Sequence, residues 1–249
     1  MFIDTHCHLS IEDYDDIDLV IKNNLEAGVS KIIVSACTRD TFAEAIELAK
    51  KYDCVYLTLG LHPSEAAIFT SNDLDKLASL IKLDKVVGVG EIGLDYHYGK
   101  EDILLQKELF EKQLILAKSN NLPVVIHSRD AVNDTIEILK KYDVKGVIHC
   151  FSGSVETADI YIKMGYKLGI GGVVTFKNSN LYKVVEHVGL KNIVLETDAP
   201  YLAPEPYRGK QNSSKYIPVI AAKIGDILNI SDLEVARVTT ETACNLFDL

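Results

Sequence analysis

No stretch of the 249-residue sequence approaches the roughly 18 consecutive apolar residues of a membrane-spanning helix, so no membrane association is expected. The start of the chain has no basic segment leading into an apolar one, which excludes a secretory leader as an expectation. No CxxC pair occurs. The five cysteines (Cys7, Cys37, Cys54, Cys150 and Cys244) are odd in number and scattered, as expected of reduced thiols in a cytoplasmic protein. There is no Pro/Ser-rich linker, low-complexity tract or long block of like charge, so the reading is one domain over residues 1–249, and nothing indicates an obligate protein partner. Positive charge is in short supply, with 26 Lys and Arg against 36 Asp and Glu and a formal net charge of −10. Such a field repels polyanions at long range. A nucleic-acid ligand would therefore need local positive charge, from side chains or from metal ions.

What is present is a rhythm. Apolar residues make up 47% of the chain, enough for a large core. Eight short β-branched runs recur, at 2–7, 31–37, 54–61, 86–92, 122–127, 145–150, 166–171 and 192–197. Helical spacing lies between them at about 14–27, 40–52, 73–83, 102–120, 130–142, 155–165 and 179–189. The clearest is 102–120, with Ile103, Leu104, Phe110, Leu114, Ile115 and Ala117 on one apolar face. The segment 215–248 reads as two further helices around Asn229–Ser231. Strands alternating with helices make parallel sheet, and eight repeats in this length predict a (β/α)8 TIM barrel with extra C-terminal helices. An open doubly wound sheet would usually carry a glycine-rich phosphate loop after its first strand. Here the first strand ends in histidines.

Chemistry in a barrel belongs at the C-terminal ends of the strands. The first run ends in "IDTHCHL", where His6 and His8, two apart, share a face with Asp4 behind them. The third ends in "LGLHP" with His62, the fourth in "VGEIGLDYH" with Glu91 and Asp95, and the fifth in "VVIHSRD" with His127 and Arg129. The sixth ends in "VIHCFSG" with His149, and the eighth in "VLETDAPYL" with Glu196 and Asp198. One buried histidine is commonly a satisfied core residue. Six strands ending in His, Glu or Asp point instead to one shared object, a metal site, since imidazole and carboxylate suit Zn, Mn, Fe, Ni or Mg. His6, His8, Glu91, His127, His149 and Asp198 are too many ligands for one catalytic zinc. They suit two divalent ions with a bridging carboxylate, for which Glu91 is the natural candidate. Asp198 could ligate a metal, accept a proton from the attacking water, or both. Asp4 and Glu196 fit a supporting role, orienting imidazoles through their free N–H groups.

The ordered set "IDTHCHL" (3–9), "GLHP" (60–63), "GEIGLDYH" (90–97), "QKELFEKQLILAKSNNLPVVIHSRDA" (106–131), "HCFSG" (149–153) and "ETDAPYLAP" (196–204) resembles the TatD family of metal-dependent deoxyribonucleases. The resemblance spans nearly the whole chain. It implies a TIM barrel with a two-metal centre (Mg, Mn or Zn), hydrolysis of phosphodiester bonds in DNA, single strands or 3′ ends as substrate, and trimming from the 3′ end. It carries the ligand roles onto His6, His8, Glu91, His127, His149 and Asp198, with Asp198 and Glu91 as the catalytic pair. The family pattern after "PYLAP" continues RGK, then Asn-Glu-Pro. This chain keeps Arg208, Gly209, Lys210 and Asn212 in "YRGKQNSS" but has Ser213 and Ser214 in place of Glu-Pro.

Four residues are expected to touch substrate. Arg129 could bind a phosphate bidentately, or pair with Asp130 or Asp134. Arg208 and Lys210, in the last loop, could hold the next phosphate, and His62 could donate to a phosphate oxygen or serve the turn at Pro63. Tyr96 and Tyr98 are candidates for stacking on bases, and Cys7 and Cys150 for buried packing. A different metal-barrel hydrolase, acting on an ester or amide such as aminoacyl-tRNA or on a small phosphoester, is the alternative. Many binuclear relatives bridge their metals with a carboxylated lysine, and no lysine ends a candidate strand here.

Overall fold

The computed structural model of the protein describes residues 1–97, 99 and 101–249. Eight strands alternate with helices in a single sheet of order β1-β2-β3-β4-β5-β6-β7-β8: β1 Phe2–Cys7, β2 Val29–Ala36, β3 Val55–Leu59, β4 Val86–Asp95, β5 Val124–Arg129, β6 Gly146–Ile148, β7 Lys167–Ile170 and β8 Ile193–Leu195. The helices are α1 Ile17–Glu26, α2 Phe42–Lys51, α3 Ser71–Leu80, α4 Ile103–Ser119, α5 Val132–Leu139, α6 Val155–Lys163, α7 Leu181–Val188, α8 Ile217–Leu228 and α9 Asp232–Phe247. This is the (β/α)8 TIM barrel, with α8 and α9 following the last strand in place of a single helix. No described helix is long and apolar enough to cross a membrane.

Two compact units divide the chain. One joins Met1–Val34 to Cys150–Leu249 and the other is Ser35–His149. In the first, β1 and β2 pair in parallel from Phe2↔Val29 to Cys7↔Val34, and β7 pairs with β8 from Leu168↔Ile193 to Ile170↔Leu195. The Thr5 hydroxyl donates to the Leu195 carbonyl at 3.0 Å, tying β1 to β8. Helix α9 lies against β1 and β8. It begins at Ser231, whose hydroxyl accepts the Glu234 N–H, and buries Val235, Ala236, Val238, Ala243 and Phe247.

In the second unit β4 is buried along its whole length and continues to Asp95, beyond the apolar run at 86–92. Its neighbour β5 keeps supplying partners, from Gly93↔His127 to Asp95↔Arg129. Bare glycine is required where these strands meet, because a Cβ on Gly93 would stand 2.0 Å from the His127 carbonyl oxygen, and φ there is +145°. Helix α4 differs from its expected apolar face. Phe110, Leu114 and Ala117 are buried, but Leu104 is 81% and Ile115 53% exposed. Two glutamines one heptad apart take the inner positions. The Gln106 amide exchanges hydrogen bonds with the Asp95 backbone, both at 2.9 Å. Gln113 does the same with Leu61, at 2.7 and 2.9 Å. Each satisfies the backbone N–H and C=O of a residue at or just past the end of a strand.

Candidate metal centre

In the first unit the end of β1 and the segment after β8 are laced together. The His6 carbonyl accepts the N–H groups of Thr197 and Asp198, and the His8 N–H donates to the Ala199 carbonyl. Asp198 has φ +55°, a left-handed backbone that brings the chain sharply past β1. The result is convergence of three ligand-type atoms. His6 Nε2 and His8 Nε2 are 3.3 Å apart, and Asp198 Oδ1 lies 3.7 Å from the first and 3.6 Å from the second. Two imidazole nitrogens and a carboxylate oxygen aimed at one point fit a cation, which would satisfy all three at once.

The two buried acids behind this trio both take backbone N–H groups. Asp4 accepts the Thr197 hydroxyl at 2.6 Å and the N–H groups of Thr197 and His6 at 3.0 and 3.2 Å. The carboxylate, fully enclosed, braces the turn that carries the His6 ring. Burial pushes the Asp4 pKa up to about 7, against the hydrogen bonds from Thr197, Ser214 and His6 that favour its charge. Glu196 Oε1 accepts the Cys150 N–H at 2.6 Å, fixing a residue with φ +47°. Strand β6 stops at Ile148, so Cys150 sits in this turn and only Cys7 is buried in the sheet.

The second unit carries a denser polar cluster. His127 Nδ1 lies 2.6 Å from Glu91 Oε1, and its Nε2 lies 3.0 Å from Asp95 Oδ2. Burial opposes a charge on this ring, but the hydrogen bonds to Asp95 and Glu91 outweigh it and push its pKa up to about 9. Burial likewise opposes the Asp95 charge. Hydrogen bonds from His127 and from the His97 N–H prevail, holding its carboxyl below the ordinary range. Glu91 also faces His149 Nε2 at 3.7 Å. His62, Asp95 and His127 place one ligand atom each within 4.8 Å of one another. A metal on one His127 nitrogen would leave the other on a carboxylate, the usual way a ligating imidazole is oriented. The chemistry of the donor set thus fits divalent ions in both units.

The expected substrate residues have mixed surroundings. His62 Nδ1 accepts the Ser64 N–H at 3.1 Å and caps the short helix at Pro63–Glu65, while its ring meets His127 edge-on at 4.6 Å. Arg129 ends β5 in an exposed position. Asp134 pairs with Lys107 and with the Tyr96 hydroxyl, and Asp130 with His97. The Arg208 guanidinium lies 3.9 Å over the Phe176 ring, and Lys210 Nζ 5.9 Å from the Tyr207 ring. Tyr98 lies outside the described residues.

Four residues have roles here that the sequence did not reveal. Asp95, at the end of the fourth strand, is the partner of His127. Gln106 and Gln113 hold the backbone beside Asp95 and His62, and their seven-residue spacing on a helix was the available signal. Asn212 is fully buried. Its amide donates to the carbonyls of Thr197 and Tyr201, stitching the loop around Asp198. Its place in "RGKQN" marked it without revealing that role.

A parallel barrel whose strand ends carry converging histidines and carboxylates is the framework of a metal-dependent hydrolase. The TatD related DNase family model matches residues 3–248, and the chain belongs to that family. It is 42% identical over 252 residues to the uncharacterized metal-dependent hydrolase YabD of Bacillus subtilis, covering 99% of each chain. The crystal structure of the TatD homologue YjjV of Escherichia coli superposes with a TM-score of 0.92 at 33% identity, covering 100% of this chain and 98% of that one. A TatD family hydrolase from Entamoeba histolytica follows at 0.89 and 26%, covering 99% and 97%. The protein is a metal-dependent hydrolase of the TatD family.

Proposed function

We propose that this hydrolase is a deoxyribonuclease that cleaves phosphodiester bonds of single-stranded DNA or 3′ ends in the 3′ to 5′ direction, with two divalent ions held by His6, His8, Glu91, His127, His149 and Asp198. The convergence of His6, His8 and Asp198 carries the reading. The family name and the absence of a lysine at any strand end support it. Divalent ions at these residues would supply Lewis acidity, lowering the pKa of water and neutralising charge on the phosphate.

The chain's own groups supply the rest. Asp198 is the one carboxylate of its trio and lies at the edge of the β1 end, 16% exposed. It is placed to take a proton from attacking water, and the left-handed turn around it fixes that placement. Glu91, only 5% exposed, faces two imidazoles, those of His127 and His149. Asp95 holds His127 in one orientation. Arg129, Arg208 and Lys210 provide cationic groups for phosphates in a chain that is otherwise acidic.

The test is degradation of 3′-labelled single-stranded DNA by metal-stripped protein resupplied with Mg²⁺, Mn²⁺ or Zn²⁺, with Asp198→Asn beside it. Metal-dependent shortening from the label, lost in the variant, is the expected result. Binding of metal without cleavage of any DNA would overturn the reading and favour an ester or amide substrate such as aminoacyl-tRNA.

A further inference from the structure

Between β8 and α8 the chain makes a long excursion whose tip holds an aromatic ring in water. Tyr201 is 59% exposed, three residues beyond Asp198, and its N–H donates to the Asp198 carbonyl at 2.8 Å. Its ring meets the His8 ring at 6.2 Å with an interplanar angle of 64°. A ring so placed usually turns inward to bury its apolar area. Here it stays exposed, and the segment that carries it is tied down at several points. Asn212 holds the Tyr201 and Thr197 carbonyls from below. A Cβ on Gly172 would stand 2.2 Å from the Leu202 carbonyl oxygen, so the segment is seated against bare backbone. The Glu205 N–H donates to the Thr175 hydroxyl at 2.8 Å. An exposed aromatic on a tied-down loop beside His8 is suited to recognition, since its backbone needs no ordering when a ligand arrives.

We propose that Tyr201 is a stacking platform for an unpaired base of the nucleotide whose phosphate is cleaved. The exposed guanidinium of Arg208, in the same excursion and stacked over Phe176 from the segment after β7, would accompany the neighbouring phosphate. The proposal rests on the deoxyribonuclease reading and goes beyond it by assigning the group that selects single strands. A base within a duplex is covered on both faces by its neighbours, so only a base out of the helix can reach the tyrosine. Aromatic stacking tolerates all four bases because each has a π-face. Discrimination would therefore be between paired and unpaired ends, not between sequences.

The test compares wild type with Tyr201→Ala and Tyr201→Phe on two metal-loaded substrates, a single-stranded oligonucleotide and the same strand with an abasic 3′-terminal nucleotide. Loss of a base stack is expected to raise KM of Tyr201→Ala for the intact strand roughly 5- to 100-fold. Tyr201→Phe should restore it, and all three proteins should treat the abasic strand alike. In wild type and Tyr201→Phe, 2-aminopurine at the 3′ end should be quenched on binding, and in Tyr201→Ala it should stay bright. If wild type cleaves the strand and Tyr201→Ala matches it, the platform is overturned while the nuclease reading stands. If Tyr201→Phe is as impaired as Tyr201→Ala, the hydroxyl and not the ring face is at work, and the platform is again overturned. If wild type neither binds nor cleaves DNA, both readings fall.

Discussion

Asp4 holds Thr197 twice, taking its hydroxyl at 2.6 Å and its N–H at 3.0 Å, across 193 residues of sequence. Both residues are fully buried, so the bond between them stands in for water that neither can reach. Thr197→Val keeps the shape and removes the hydroxyl, leaving a buried carboxylate short of a donor. A loss of about 1–3 kcal/mol in unfolding free energy is expected. Thr197→Ser should recover most of it, and urea denaturation of the three proteins checks this.

Glu196 occupies the space that a side chain on residue 169 would need. A Cβ at Gly169 would stand 2.1 Å from Glu196 Oε2. Gly169→Ala should displace the carboxylate from the Cys150 N–H and cost at least about 2 kcal/mol. Pairing it with Glu196→Gln should give no rescue, because the obstruction is steric. Chemical denaturation of the single and double variants would show it.

Asn212 should affect activity without touching substrate. Removing its amide in Asn212→Ala frees the carbonyls of Thr197 and Tyr201 and loosens the turn that places Asp198. The variant is expected to lose about 2 kcal/mol of stability and to fall by about 10- to 100-fold in kcat. Asn212→Asp, which cannot donate, should resemble it. Steady-state kinetics beside a melting curve would separate the two effects.

Metal should stabilise the fold through His6 and His8. At free metal one hundred times Kd, binding adds roughly 3 kcal/mol. Chelation of the native protein should therefore lower its melting temperature and readdition restore it. His6→Ala combined with His8→Ala should show a smaller response to both. Differential scanning fluorimetry across a metal titration is the measurement.

Asp73 gives a pH dependence with a defined sign. It accepts the N–H and hydroxyl of Thr70, both at 2.8 Å, at the start of α3. The hydroxyl and N–H of Thr70 hold its carboxyl below the ordinary range. A depressed folded pKa contributes stability above the unfolded value near 4, and that contribution is lost as pH falls through the folded one. Asp73→Asn should thus cost about 1 kcal/mol at pH 7, with the gap to wild type closing as pH drops from 5 towards 2. Guanidinium unfolding at several pH values tests it.

The eight apolar runs of the sequence all became strands because a parallel barrel strand is buried on both faces and must be apolar throughout. The helices fell where amphipathic spacing put them, including α8 and α9 on either side of Asn229–Ser231. Ligand-type residues were legible for the same reason, since His and Asp at the end of an apolar run stand out against it. What escaped notice were groups whose partner is backbone. Gln106, Gln113 and Asn212 resemble surface residues in composition, and their burial depends on which carbonyls the fold leaves unpaired. Asp4 was legible as a polar residue behind His6, but nothing local announces that it also holds Thr197. The exposure of Leu104 and Ile115 likewise follows from the glutamines taking the inner face of α4.

The first unit is discontinuous, and that sets a schedule for synthesis. His6 and His8 leave the ribosome early, yet the residues that clasp them arrive with β8, some 193 positions later. At elongation rates of about 5–20 residues per second the wait is roughly 10 to 40 s. Once residue 149 has been made, Ser35–His149 is the unit whose sequence is complete, while the first still lacks its second part. Nascent β1 must stay unpaired with β8, its histidines open to whatever metal the surroundings offer, until the far end of the chain emerges to close over it.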